Sequence, residues 1–148
     1  MSLPDNALIE PGDPVVARLL RWSSGLRAGG NVAHDVLVTY LSEQGTRPFA
    51  FCRDGLLLDP DGEARFVRFV EIEDTGKFDR IMLEKEKRAS RQGESIDTPL
   101  SIRLVSGEVL VLPLNVRGDG MSERLTIASL LEQRVRIARS QARKKATI

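Results

Sequence analysis

The chain has 148 residues, 41% of them apolar, with 22 Lys plus Arg against 21 Asp plus Glu, one His and one Cys. That size suits a single domain burying roughly 68–70% of the surface its unfolded chain exposes, and the composition excludes a disordered chain, a disulfide scaffold or a Cys-rich zinc knuckle. The near-neutral total hides an asymmetry: residues 133–148 hold six basic residues and no acidic one, which leaves sixteen basic against twenty-one acidic residues, net −5, in the first 132.

Residues 1–13 show no periodicity and read as a lead-in. They also lack the basic and apolar regions of a secretory signal, which with the single Cys predicts a cytoplasmic protein. Asp13 then Pro14 is a helix-start pair, a capping carboxylate before a residue whose missing N–H costs nothing in the first turn. Val15, Val16, Leu19, Leu20 and Trp22 supply an apolar face, and Gly29-Gly30 ends it. In Val32–Leu41 the apolar residues recur at helical spacing, although Val36–Tyr40 also has strong strand propensity. We read it as helix, so that residues 14–45 form an N-terminal helical segment.

From Pro48 the texture changes to short strands and turns. Phe49–Cys52, the turn Arg53-Asp54-Gly55 and Leu56–Leu58 form a hairpin, and Asp59-Pro60-Asp61-Gly62 has the residue order of a type I turn. Phe66–Ile72 reads as the next strand. Ile81 and Leu83 alternate with Met82 and Glu84, as in a strand leaving the core for solvent, and residues 89–98 read as a loop. Leu100, Ile102 and Leu104 alternate with Ser101 and Arg103; after Ser106-Gly107, Val109–Leu114 returns, with Pro113 ending the strand or marking an edge. Ser122 can cap a last helix whose stripe is Ile127, Leu131, Val135 and Ala138, thickened by Ala128 and Leu130, with its arginines on other faces.

Strands joined by tight turns and closed by one amphipathic helix resemble a bacterial pleckstrin-homology-like domain. Phe49–Leu58 is similar to the opening hairpin of such domains, and Arg68–Asp74 to the link in which an Ile tucks inward. The resemblance covers residues 48–140. It implies an α+β fold: a small, strongly bent antiparallel sheet or barrel of six or seven strands, capped by the C-terminal helix and preceded by one or two N-terminal helices. It further implies a domain that binds proteins, peptides or phosphoinositides and is not an enzyme. Lipid-binding members place Lys and Arg around the hairpin turn, whereas Asp59–Glu63 is acidic here, which argues against phosphoinositide.

No P-loop, dinucleotide fingerprint, nucleophile elbow or metalloprotease helix occurs. Cys52 and His34 lack any local signature of a nucleophile and its base. Asp59, Asp61 and Gly62 start like a calcium loop without its remaining ligands. Glu71, Glu73, Asp74 and Asp79 are ordinary solvated carboxylates unless a cleft gathers them. Arg117-Gly118-Asp119 matches an adhesion tripeptide by chance. No catalytic residue, cofactor or metal site is therefore expected. What remains is the basic set Arg134, Arg136, Arg139, Arg143, Lys144 and Lys145, with residues 141–148 as a basic tail. Cations at a helix C-terminus complement its dipole; the same residues suit a partner's phosphates or carboxylates. The expected function is a non-catalytic binding or scaffolding module for a protein or peptide, held at a sheet edge or between sheet and last helix. A homo-oligomer is a further option, and nucleic-acid association through the basic helix is the alternative.

Overall fold

A computed structural model describes residues 21, 23–28, 36–93, 99–115 and 123–146. Among the described residues, eight strands make two antiparallel sheets. The first is a meander of β1 (Leu26–Ala28), β2 (Val36–Tyr40), β3 (Phe49–Cys52), β4 (Gly55–Leu58) and β5 (Arg65–Arg68), in that order. The second joins β6 (Ile72–Asp74), β7 (Leu100–Leu104) and β8 (Val109–Leu112). Two full helices lie among the described residues, α1 (Arg80–Gln92) between β6 and β7 and α2 (Glu123–Ala146) after β8. The α+β class holds, but the strands do not close into a barrel.

One apolar cluster draws on both sheets and on α2. Tyr40, Phe49, Phe51, Leu56 and Val67 of the first sheet meet Ile72, Leu100, Ile102 and Leu112 of the second and Ile127, Leu130, Leu131 and Val135 of the helix. Tyr40 and Phe49 stack at 4.7 Å between ring centroids, and Phe51 stands edge-on to Phe49 at 6.1 Å. The predicted helix stripe is thus the lid of the core: Leu130 and Leu131 are 1% and 0% exposed. A single buried leucine contributes about 1.5–3 kcal/mol through removal from water, so this face alone accounts for docking of the helix.

The segment read as helical from residue 32 is corrected from residue 36 on, residues 32–35 lying outside the described residues. Val36–Tyr40 is a strand, and Leu26–Ala28 another, within a segment expected to be helical. The reason is burial on both faces. Opposite the main core, Ala50, Cys52 and Leu57 are buried with Val36 against them, so the central strands carry unbroken apolar runs, which have no period-2 signature. An irregularity between Val36 and Val38 in the β2–β3 pairing blurs the alternation further. The expected start helix over residues 14–22 lies outside the described residues except at Arg21, which is helical.

The second correction is α1, expected as a strand over 81–84 and a loop from 89. Asp79 caps it, its Oδ1 accepting from Ile81 N at 3.0 Å and Met82 N at 3.2 Å, and Gly93 ends it in the left-handed region at φ 65°. The alternation of Ile81 and Leu83 was misleading, because Ile81 is 68% exposed. Phe66–Ile72 also divides: β5 ends at Arg68, a 3₁₀ turn at Phe69–Glu71 follows, and Ile72 starts β6 in the other sheet. The hairpins at 49–58 and 100–112 stand as read, and β8 stops before Pro113. The supposed basic tail is helical through residue 146.

A groove beneath the last helix as candidate functional site

At 24 residues, α2 is about 36 Å long, and its second half passes over the end of the first sheet. Its basic residues divide by face. Arg134 is 2% exposed: its Nη2 donates to Arg53 O at 2.8 Å, and its guanidinium lies 5.7 Å from the Phe69 ring centroid. Arg139 Nη2 donates to Ile72 O at 2.6 Å and Glu73 O at 2.8 Å, tying the helix to β6. These two correct the expectation that the arginines all face away from the body. A guanidinium with five donors can satisfy strand and turn carbonyls while its stem packs, so a basic residue serves as a latch. Arg136, by contrast, is 74% exposed, 4.0 Å from Glu132 one turn earlier. Arg143, Lys144 and Lys145 are exposed on the last turns.

Between α2, β5 and the β3–β4 turn lies a cleft of about 280 Å³. Its cations are Arg53, Arg68, Arg134 and Lys145, against the single carboxylate of Asp54, and its apolar surface comes from Phe66, Phe69 and Val70 below and Ile137 on the helix. Two of the six basic residues singled out in the sequence, Arg134 and Lys145, meet here; Arg136, Arg139, Arg143 and Lys144 do not line it. Arg53 and Arg68 were missed. Arg53 stood in the sequence as a turn residue and Arg68 as part of the strand read over Phe66–Ile72, and only the path of α2 brings them together.

The other candidates are occupied structurally. Glu71 Oε2 accepts from Arg68 N at 2.8 Å, Asp79 caps α1, and Glu73 lies 3.6 Å from Arg103. Asp61 is held bidentate by Arg47, and Gly62 N donates to Asp59 O, so residues 59–62 form a braced turn. Cys52 is buried in β3. His34, Ser122 and Arg117–Asp119 lie outside the described residues. A second polar cluster surrounds Glu123 at the start of α2: Tyr40 OH donates to Oε1 at 2.8 Å, Ser23 Oγ to the same oxygen and Ser24 N to Oε2. Burial pushes the Tyr40 hydroxyl well above the usual phenol range, with the Glu123 charge adding to it. Asn115 N donates in turn to Tyr40 OH at 2.9 Å. The network is buried at Ser23, Tyr40 and Glu123 and joins the helix start to β2 and to the chain after β8.

No family model, curated protein or solved structure matches this chain. No helix among the described residues is long and apolar enough to cross a membrane.

Proposed function

We propose that the chain is a non-catalytic binding module that holds an acidic peptide, or an acidic segment of a partner protein, in the groove beneath α2. The observation that carries this reading is the lining itself: four cations around apolar side chains, with one carboxylate among them. An extended acidic chain would place carboxylates against Arg53, Arg68 and Lys145 and apolar side chains against Phe66, which is 42% exposed. Arg134, fixed by Arg53 O and Phe69, supplies a pre-oriented charge at low entropic cost. The inward Ile72 and the terminal helix over the core support a relation to pleckstrin-homology-like domains, here with two open sheets. The acidic turn at Asp59–Glu63 disfavours phosphoinositides as ligands. The single Cys, buried and unbridged, accords with a cytoplasmic setting.

The test is titration with a synthetic extended peptide rich in Glu, followed by nuclear magnetic resonance at low salt. Shifts should gather at Arg53, Phe66, Arg68 and Lys145 and shrink with added salt. Arg68→Glu and Lys145→Glu, both at exposed positions, should each weaken binding by at least tenfold without altering the fold. Absence of shifts up to about 1 mM peptide, weaker than any useful recognition, overturns the reading. So does tighter binding of duplex DNA, which would transfer the role to the exposed Arg136, Arg143 and Lys144 as phosphate contacts.

A further inference from the structure

Two open sheets have four edges, and three of them carry side-chain caps. On β1, Leu26 N donates to Ser23 Oγ at 3.1 Å and Leu26 O accepts from Arg27 Nη1 at 2.9 Å. On β5, Arg68 N is taken by Glu71, and Arg65 and Arg68 flank the strand with charge. On β6, Arg139 covers the carbonyls of Ile72 and Glu73. Such devices keep an edge from pairing with another chain. On the fourth edge, β8, no side chain caps a backbone group of Val109–Leu112 among the described residues; Glu108 and Pro113 lie just outside the strand.

Its register makes the exposure specific. Leu104 N donates to Glu108 O at 2.8 Å, so by antiparallel alternation the hydrogen-bonded pairs with β7 are Ile102–Leu110 and Leu100–Leu112. Val109 and Val111 therefore direct both N–H and C=O away from β7. Their side chains stand on the outer face, each 58% exposed, where β7 carries Ser101 and Arg103 at the equivalent outward positions. An uncapped edge with valines on its solvent side is what a strand partner completes.

We infer that β8 pairs antiparallel with β8 of a second copy of this chain, about a two-fold axis through Leu110. In that register Val109 faces the second copy's Val111 and the reverse, and each pair exchanges both backbone hydrogen bonds. No like charges oppose each other. The one charged residue of the span, Glu108, falls opposite Leu112 and is already bound by Arg65 at 2.6 and 2.7 Å. A strand that fits its own copy in both polar pattern and charge requires no further partner chemistry, which is why a second copy is the occupant. Four residues per strand make a short pairing, so the dimer is a weak one that follows concentration.

Sedimentation of the full chain over about 10 µM to about 1 mM reads this directly, the range expected for a small interface. The mass should rise from monomer toward dimer, and the Val109 and Val111 amides should gain exchange protection with concentration. Val111→Lys should abolish the rise with an unchanged circular dichroism spectrum. Val105→Lys, at a 66% exposed valine off the edge strand, should leave it intact. A monomer throughout, a dimer that survives Val111→Lys, or equal loss in Val105→Lys overturns the inference. Protection of Val109 and Val111 only on adding a synthetic apolar strand peptide overturns it too, in favour of a foreign strand. Should Val111→Lys misfold, the concentration dependence of the wild-type amides decides alone: a rise supports the pairing and a flat profile overturns it.

Discussion

Arg124 and Glu86 show how a buried charge is held here by an opposite one, through one of the two carboxylate oxygens. The pair is 1% and 8% exposed, with Nε to Oε1 at 2.6 Å, and the remaining guanidinium donors reach Gly76 O and Lys77 O. Gly76 is bound to this geometry in turn. It sits at φ 77°, and a Cβ there would lie 2.2 Å from Ser101 O, so only glycine brings its carbonyl to Arg124. Removing one partner strands the other charge in the interior, which costs about 3–5 kcal/mol, whereas replacing both with apolar residues of similar size can be close to neutral. Arg124→Ala should therefore lower stability by about that amount. Arg124→Met with Glu86→Leu should recover most of the loss. Denaturant unfolding of the two variants checks both, and a single variant as stable as the parent would remove the pair from the account of how α1 is held.

Helix α1 depends on that pair and on its caps, because its apolar contribution is small: of its thirteen residues, Glu86 and Ala89 are the buried ones. A helix of that length is marginal alone in water. Asp79→Ala should cost about 1 kcal/mol, and the loss should fall on α1 as local fraying. Native-state hydrogen exchange would show faster exchange from Ile81 to Lys85 with β3 and β4 unchanged; uniform acceleration would contradict a local role. The same element marks the boundary of what sequence could reveal. The Asp79 and Gly93 caps, and helix formers from Leu83 to Arg88, were visible signals outweighed by a chance alternation at Ile81 and Leu83. For β2 the strand propensity was visible, but the alternation that would have decided for it was absent, since a strand covered on both faces has no polar phase to read. Hairpins at Phe49–Leu58 and Leu100–Leu112 were legible through their turns, and the stripe of α2 through its period. In the groove, Lys145 and Arg134 were legible as charge, but Arg53 and Arg68 join them only through contacts distant in sequence.

At the scale of the whole molecule, the Glu123 network binds together parts that the core alone leaves separate: the start of α2, the end of β2 and the segment after β8. Tyr40 is at its centre, fully buried, and is the only tyrosine in the chain. Its pKa is raised in the folded state, chiefly by burial and further by the nearby Glu123 carboxylate. A group whose folded pKa lies above its unfolded value stabilises the fold fully below the unfolded pKa, near about 10 for a phenol, and loses that contribution as pH rises beyond it. Stability should thus decline above about pH 10 with a slope that Tyr40→Phe removes. At neutral pH the same substitution should cost about 1–3 kcal/mol, for a hydrogen bond to a charged acceptor. With a single phenol, ultraviolet absorbance of the phenolate reports on this one site, so its appearance should coincide with loss of the far-ultraviolet helix signal. Phenolate forming while the helices persist would mean that the network opens independently of the sheets. Coincidence of the two signals is what a core shared by both sheets and α2 requires, since losing the helix start exposes Ile127 and Leu131 and with them the apolar contact between the sheets.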